Sequence, residues 1–107
     1  MATQSLVPPE LLNPLIAYFN PQRVILIGSV ARGEAGPDSD IDLVVVLDDD
    51  VSPQMMTGKA VAEARAGYRE AVDIILCRSS RLQERARAIG SFAHQVLRDG
   101  VTVYERA

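Results

Sequence analysis

Three short runs of β-branched and aliphatic residues constrain what this chain can fold into. They occupy residues 22–28, 40–47 and 71–76, and a turn-forming residue or a helical pattern separates each from the next. Short apolar runs bounded in this way are typical of buried strands. Apolar residues at helical spacing alternate with them over 9–19, 53–66 and 80–98, and a short edge strand is predicted over 101–104. The pattern predicts an α/β domain but does not settle the order of its strands.

The second strand begins with two carboxylates separated by one apolar residue. Because side chains i and i+2 project from the same face of a strand, Asp40 and Asp42 are predicted to stand side by side while Ile41 points into the core. Two carboxylates this close repel each other unless a cation lies between them. Hard oxygen ligands favour Mg²⁺, which commonly completes its coordination with water and substrate phosphates.

A Gly-Ser turn ends the first strand, ten residues before Asp40. Gly28 has no Cβ and allows close approach of another group, and N–H groups at the start of a following helix can hold phosphate oxygens. Gly28 and Ser29 therefore complement the carboxylates. Together they predict a site for a nucleotide and a metal ion.

The third strand carries a single acidic residue, Asp73, inside an apolar run. If this strand lies beside 40–47, Asp73 joins the pair and can complete a site for two metal ions, which characteristically lie roughly 3.5 to 4 Å apart. The alternative is an edge or bulge residue with no chemical role. A charge within an apolar run favours the functional interpretation.

The order of these features resembles a known signature. Residues 28–35, Gly-Ser-Val-Ala-Arg-Gly-Glu-Ala, followed by 38–43, Asp-Ser-Asp-Ile-Asp-Leu, resemble the nucleotidyltransferase motif of the DNA polymerase β superfamily. More narrowly, the chain is similar to the minimal nucleotidyltransferases, or MNT proteins, of bacteria and archaea. The resemblance extends from about residue 21 to about residue 104. It implies the DNA polymerase β-like nucleotidyltransferase fold, an α/β domain with a small mixed sheet of about four strands and packed helices.

The resemblance also implies a role for each matching residue. Asp40 and Asp42 would bind Mg²⁺, with two ions expected, and Asp73 would be the third acidic ligand that helps to activate the acceptor hydroxyl. Three further residues would contact the triphosphate of the nucleotide: Gly28, Ser29 and Arg32.

The implied reaction is Mg²⁺-dependent transfer of a nucleoside monophosphate, with ATP as the expected donor of AMP, to a hydroxyl acceptor. Larger relatives, such as aminoglycoside nucleotidyltransferases and poly(A) polymerases, hold the acceptor with additional helical domains. MNT proteins are commonly paired with HEPN-domain toxins and adenylylate a toxin tyrosine, so the leading hypothesis is an antitoxin that modifies its partner. Two alternatives stay open: a binding protein that neutralises its partner by contact, and an oligomeric enzyme that modifies a small molecule such as an antibiotic.

Composition limits the number of domains, the partners and the cellular location that are expected for this chain. The 107 residues are 48% hydrophobic, which predicts one domain over 1–107. The resemblance implies that its core covers about 21–104, preceded by an N-terminal helix. The net charge of −3 argues against broad binding to nucleic acid. No apolar stretch approaches a membrane span, and the first residues do not resemble a signal peptide. We therefore expect a cytoplasmic protein without a membrane partner.

Several polar residues have a simpler interpretation than chemistry. Residues 48–50, three consecutive aspartates, are predicted to form a solvated loop beyond the second strand. Cys77 is expected to be a buried thiol rather than a nucleophile, and His94 a surface or half-buried residue. Three basic residues are expected on one solvated side of the last helix, in preference to a partner or phosphate surface: Arg78, Arg81 and Arg85.

Overall fold

A computed structural model of the chain describes residues 6–31, 33 and 40–107. The four strands are β1 (Arg23–Ile27), β2 (Ile41–Leu47), β3 (Val72–Arg78) and β4 (Val101–Glu105). The helices are α1 (Pro9–Phe19), α2 (Gly28–Ala31), α3 (Gly58–Ala64), α4 (Ser79–Ala86) and α5 (Phe92–Asp99), with a 3₁₀ turn at Pro53–Met56. The predicted α/β class and four-stranded sheet are confirmed.

The strands form one mixed sheet in the order β3-β2-β1-β4. β1 is antiparallel to both β2 and β4, whereas β2 and β3 are parallel. β3 and β4 are therefore the edges, as expected for the last strand. The parallel pair requires a crossover, which the 3₁₀ turn and α3 provide.

Each face of the sheet carries its own core. α1 and α3 cover one face, where Leu11, Leu15, Leu26, Leu43 and Val45 are buried. The other face is covered by α4 and α5. Its buried residues are Ile25, Val44, Val46, Leu82, Ala93 and Val96. Alternate residues of β2 divide between the faces, as strand geometry requires. The α4–α5 face is the one that also carries Asp42.

The helix predicted from Ser52 to about residue 66 is shorter than expected. Ser52 makes no side-chain cap, and extended backbone at Thr57 separates the 3₁₀ turn from α3. Thr57 is the true N-cap, since its Oγ1 accepts a hydrogen bond from the Ala60 N–H at 3.1 Å. α3 ends at Ala64, two residues before the predicted end, with Arg65 as its C-cap. Beyond the helix, the Arg65 guanidinium donates to the carbonyls of three residues: Tyr68, Glu70 and Val72.

The single helix predicted over 80–98 is wrong: it is two helices. Gly90 has a φ of +88°, a left-handed conformation that interrupts a helix and suits glycine. Ser91 then closes one helix and begins the next. Its hydroxyl donates to the Arg85 carbonyl at 3.0 Å and accepts from the His94 N–H at 3.1 Å. The α4–α5 hairpin that results is what positions side chains over the sheet.

Two polar groups expected to be merely solvated have structural contacts. Asp48 forms an ion pair with Arg106 at 2.8 Å and accepts a hydrogen bond from Gln22 at 2.7 Å. These hydrogen bonds hold the pKa of Asp48 below its usual range. Arg78 ends β3 and donates to the carbonyls of Asp49 and Val51, at 2.8 and 2.7 Å. The loop of residues 48–50 is thus tied to β3 and to the C-terminal segment.

Within the described part of the chain, no helix has the length and apolar character that crossing a bilayer requires.

Candidate active site

The second and third predicted carboxylates lie next to each other across the parallel strand pair. Asp42 of β2 is in register with Asp73 of β3, so the two side chains share one face of the sheet. Asp40 immediately precedes β2 and is exposed, and its charge acts on Asp42. Ile41 packs against the core of the α1–α3 face, as alternation predicts. The structure therefore places Asp42 beside Asp73, with Asp40 near enough for its charge to act on Asp42.

Gly28 lies next to the Asp42 side chain, at the end of the neighbouring strand. Ile27 pairs with Asp42 across β1 and β2, and Gly28 follows it with a φ of +80°. A Cβ on Gly28 would lie 2.6 Å from Asp42 Oδ2, closer than real contacts allow. Glycine is therefore needed at this position for two reasons: the backbone conformation and the space that the carboxylate occupies.

The environment of Asp42 disfavours its charge. Burial raises the pKa of Asp42, and a hydrogen bond with Asp73, the negative charge of Asp73 and that of Asp40 raise it further. In the absence of a cation, the folded protein therefore holds a proton on Asp42 more tightly than the unfolded chain does. A bound cation would relieve the repulsion between the carboxylates.

The chemistry of the donors fits Mg²⁺, since three carboxylates supply hard oxygen atoms beside an open sheet edge. Among residues 6–31, 33 and 40–107, however, no three acidic, histidine or cysteine side chains are already arranged as a metal-binding group. The aspartates form a partial set of ligands, and substrate phosphates and water would complete the coordination. This is the usual way in which proteins bind Mg²⁺ for phosphate chemistry.

Two predicted triphosphate contacts can be described only in part. Ser29 is the second residue of α2, where the chain turns away from β1, and only its backbone is described. Arg32 lies outside the described residues. Their roles toward a nucleotide stay predictions.

Sequence reasoning missed the residues that α5 brings to the site. A cavity of about 190 Å³ separates Gly28 from α5 and is lined by Phe92, Gln95 and Asp99. These residues share one side of α5 because they are spaced by three and four. The missed signal was the helix break at Gly90 and Ser91, without which the orientation of α5 could not be assigned.

The remaining singled-out residues have structural surroundings. Cys77 is half-buried, and burial raises the pKa of its thiol, although the charges of Arg85 and Arg81 oppose the shift. A raised pKa disfavours the nucleophilic thiolate. His94 is half-buried too, and its Nδ1 lies 3.2 Å from the Ala86 carbonyl. Both observations agree with the predictions made for these residues.

The carboxylate pair predicts a pH-dependent cost in stability. The folded protein holds a proton on Asp42 more tightly than the unfolded chain does. In the absence of metal, protonated Asp42 therefore contributes to the free energy of unfolding at low pH, and this contribution is lost as the pH rises through the raised pKa of Asp42. Asp73→Asn removes one of the repelling charges. We expect the variant to be more stable than wild type above that pKa, and the difference to diminish as pH falls below the ordinary value for Asp.

Urea unfolding in EDTA at a series of pH values measures this difference directly. Comparison of the two proteins cancels the contribution of other carboxylates, such as Asp48. A variant that is less stable than wild type by the same amount at every pH would contradict the repulsion, and would make Asp73 an ordinary structural residue.

Most of the chain matches one family of known proteins. Residues 10–89, about three quarters of the chain, match the sequence profile of the family described as nucleotidyltransferase domain. The match includes the three aspartates and the Gly-Ser turn. No curated protein sequence matches the chain.

Solved structures share the fold at low sequence identity. A protein from Sulfolobus solfataricus with a provisional nucleotidyltransferase assignment, solved at 1.40 Å, superposes with a TM-score of 0.60 and 22% identity, over 98% of this chain and 82% of that one. A chain from a toxin–antitoxin complex with AMP-PNP gives a TM-score of 0.55 and 19% identity, over 91% and 72% of the respective chains. At these identities the likeness establishes the fold.

Proposed function

This chain belongs to the nucleotidyltransferase domain family, and we propose that it transfers AMP from ATP to a hydroxyl group of a partner protein, as a minimal nucleotidyltransferase that acts as an antitoxin. The family accounts for the transferase activity. The donor, the metal ion, the acceptor and the partner are the proposed parts.

The observation that carries the proposal is the alignment of three groups across neighbouring strands. Gly28 follows the residue of β1 that pairs with Asp42, and Asp42 in turn pairs with Asp73. Adjacent strands are about 4.8 Å apart, so the phosphate-binding turn and two carboxylates lie in a row across about 10 Å. A triphosphate held at one end of this row has its α-phosphate beside the carboxylates.

Asp40, Asp42 and Asp73 would hold Mg²⁺, with two ions proposed, which stabilises the negative charge that develops on the phosphates. Asp73, on the edge strand of the sheet, would accept the proton of the acceptor hydroxyl. The acceptor oxygen then bonds to the α-phosphorus, the bond to the β-phosphate bridging oxygen breaks, and pyrophosphate leaves. Gly28 and the backbone of Ser29 would orient the departing phosphates, with Arg32 as a further contact.

The partner is proposed to be a HEPN-domain toxin, and the acceptor one of its tyrosines. The resemblance of the sequence to MNT proteins motivates this choice, and a chain of a toxin–antitoxin complex with AMP-PNP is among the structures with the same fold. Modification of the toxin would inactivate it.

The test is transfer of label to the partner. The purified chain is incubated with Mg²⁺, α-labelled ATP and the protein encoded by the adjacent gene, and label on each polypeptide is measured. We expect label on the partner, and its loss with Asp40→Asn because one ligand carboxylate is removed. Omission of Mg²⁺ should abolish the label in the same way.

Two other results would change the assignment. A stable complex with an unlabelled partner, unaffected by Asp40→Asn, would favour a protein that acts by contact. Label on a small-molecule acceptor such as an aminoglycoside, with none on the partner, would favour an antibiotic-modifying enzyme.

A further inference from the structure

Exposed apolar side chains cluster beside the candidate site. The five large hydrophobic residues that are most exposed among those described are Leu6, Ile75, Ile89, Phe92 and Leu97. Two of these, Ile75 and Phe92, line a groove of about 530 Å³ between β3 and the α4–α5 hairpin, together with Cys77, Arg85 and Ala88. Ile89, which is 89% exposed, lies in the loop that closes the hairpin. We refer to this groove with Ile89 as the β3 groove.

The β3 groove begins next to Asp73. Asp73 and Ile75 are two residues apart on one strand, so they share a face and are about 7 Å apart along the strand. Ile75, Leu76 and Cys77 all line the groove although consecutive side chains point to opposite faces, which indicates that the groove opens at the edge of the sheet. β3 is that edge. Asp73 does not line the groove but is exposed two residues before Ile75, so a molecule that extends from the groove along β3 can approach Asp73.

The geometry of the reaction assigns this side to the acceptor; this step rests on the proposed function. In phosphoryl transfer the attacking and leaving oxygens lie roughly in line. Pyrophosphate leaves toward Gly28 on the β1 side, and the α-phosphate lies beside Asp42. The acceptor oxygen must then approach from the opposite side, which is the β3 edge. The body of the acceptor extends past Asp73 into or over the β3 groove.

The charge of the α4–α5 hairpin favours an acidic acceptor. The groove itself is lined by one positive and one negative side chain, Arg85 and Glu84. Residues 79–92 add two further arginines, Arg81 and Arg87, and no further acidic residue, and all four charged side chains are exposed. A net positive surface beside exposed aliphatic and aromatic residues is typical of a protein interface, whereas a polycationic small molecule would be repelled. A nucleoside in the groove would also leave Ile89 uncovered.

We propose that the β3 groove is the docking surface for the acceptor, and that the acceptor is a protein segment in which a hydroxyl-bearing residue lies among apolar residues with acidic residues flanking them. Apolar residues of the segment cover Ile75, Ile89 and Phe92, its acidic residues face the arginines, and its hydroxyl reaches Asp73.

Two synthetic peptides test this proposal against the full chain. Both contain one tyrosine among leucines, with glutamates flanking this core in one peptide and lysines in the other. Binding is measured by fluorescence anisotropy without nucleotide. We expect the glutamate peptide to bind at least about tenfold more tightly, Ile89→Asp to weaken its binding at least about tenfold, and a double change, Arg85→Glu with Arg87→Glu, to reverse the preference.

Leu97→Asp is the matched control. Leu97 is 39% exposed on α5 and is farther in sequence from the lining residues of the groove than Ile89, which directly follows the lining residue Ala88. It should leave peptide binding unchanged. Equal binding of the two peptides, or equal effects of Ile89→Asp and Leu97→Asp, would overturn the proposal.

The affinity for a fluorescent ATP analogue is measured on the same variants. It should be unchanged in Ile89→Asp, and loss of nucleotide affinity with retained peptide binding would assign the groove to the nucleoside and overturn the proposal. Transfer of AMP to the glutamate peptide is scored separately by mass spectrometry. Peptide that binds at the groove without any transfer, from a chain that also fails to label its partner, would refute the proposed function while the docking surface stands.

Discussion

Replacing Asp42 by Asn is expected to lower nucleotidyl transfer by at least about 100-fold. Asp42 is the central member of the row, in register with Ile27 on one side and Asp73 on the other. Asparagine keeps the size of the side chain but removes the charge that would hold Mg²⁺. Since burial and the neighbouring charges already disfavour ionised Asp42, the variant should fold well. The rate of AMP transfer at saturating ATP measures the effect.

Asp50→Asn is the matched control. Asp50 is exposed and follows the opposite end of β2, so the same chemical change there leaves the row intact. It should keep full transfer, and Mg²⁺ should still raise its melting temperature in the presence of an ATP analogue, since a ligand that binds only the folded state stabilises it. Asp42→Asn should lose this stabilisation. Transfer at the wild-type rate by Asp42→Asn would refute the metal site.

The strands and carboxylates could be predicted because the signals for them are local. Apolar runs bounded by turns predict β1, β2 and β3. Alternation along β2 places the side chains of Asp42 and Ile41 on opposite faces of the sheet. The pairing of Asp42 with Asp73 was predicted only on the condition that the two strands are neighbours. Strand order depends on contacts between distant segments, which sequence periodicity does not encode.

The helices were predicted less well because single residues decide where they break. Thr57 competes with Ser52 as an N-cap. Both residues have extended backbone, but only the Thr57 side chain accepts a capping hydrogen bond, from the Ala60 N–H. Gly90 and Ser91 divide the last helix, although Ser91 is also compatible with a helix interior. Local hydrogen bonds by serine and threonine side chains can support either outcome.

The surroundings of the site could not be predicted, because they depend on how α5 packs against the sheet. The break at Gly90 turns Phe92 and Gln95 toward Gly28. The same turn leaves Phe92 beside Ile75, at the β3 groove. In the sequence, Phe92 and Gln95 are one apolar and one polar residue of an amphipathic pattern. Such a pattern predicts a helix but does not indicate which strands the helix packs against.

Gly28→Ala is expected to impair both stability and transfer. At a φ of +80° any Cβ is strained, and this one would lie 2.6 Å from Asp42 Oδ2. The strain alone costs roughly 1 to 2 kcal/mol of unfolding free energy. To avoid the clash, the Asp42 carboxylate or the turn must move, which separates the backbone proposed to bind phosphate from the proposed metal ligands. We expect transfer to fall at least about 100-fold, since a displacement of about 1 Å can have this effect.

Gly90→Ala separates the effect of backbone strain from the effect of the clash with Asp42. Gly90 has a similar φ of +88°, but a Cβ there meets no atom within 4 Å. Both variants should lose a similar free energy of unfolding from the backbone strain, with a further loss in Gly28→Ala from the clash. Only Gly28→Ala should lose the stabilisation by Mg²⁺ and an ATP analogue, because only there is Asp42 displaced. If Gly90→Ala lost that stabilisation equally, general destabilisation would explain both variants, and the contact between Gly28 and Asp42 would have no specific role in the site.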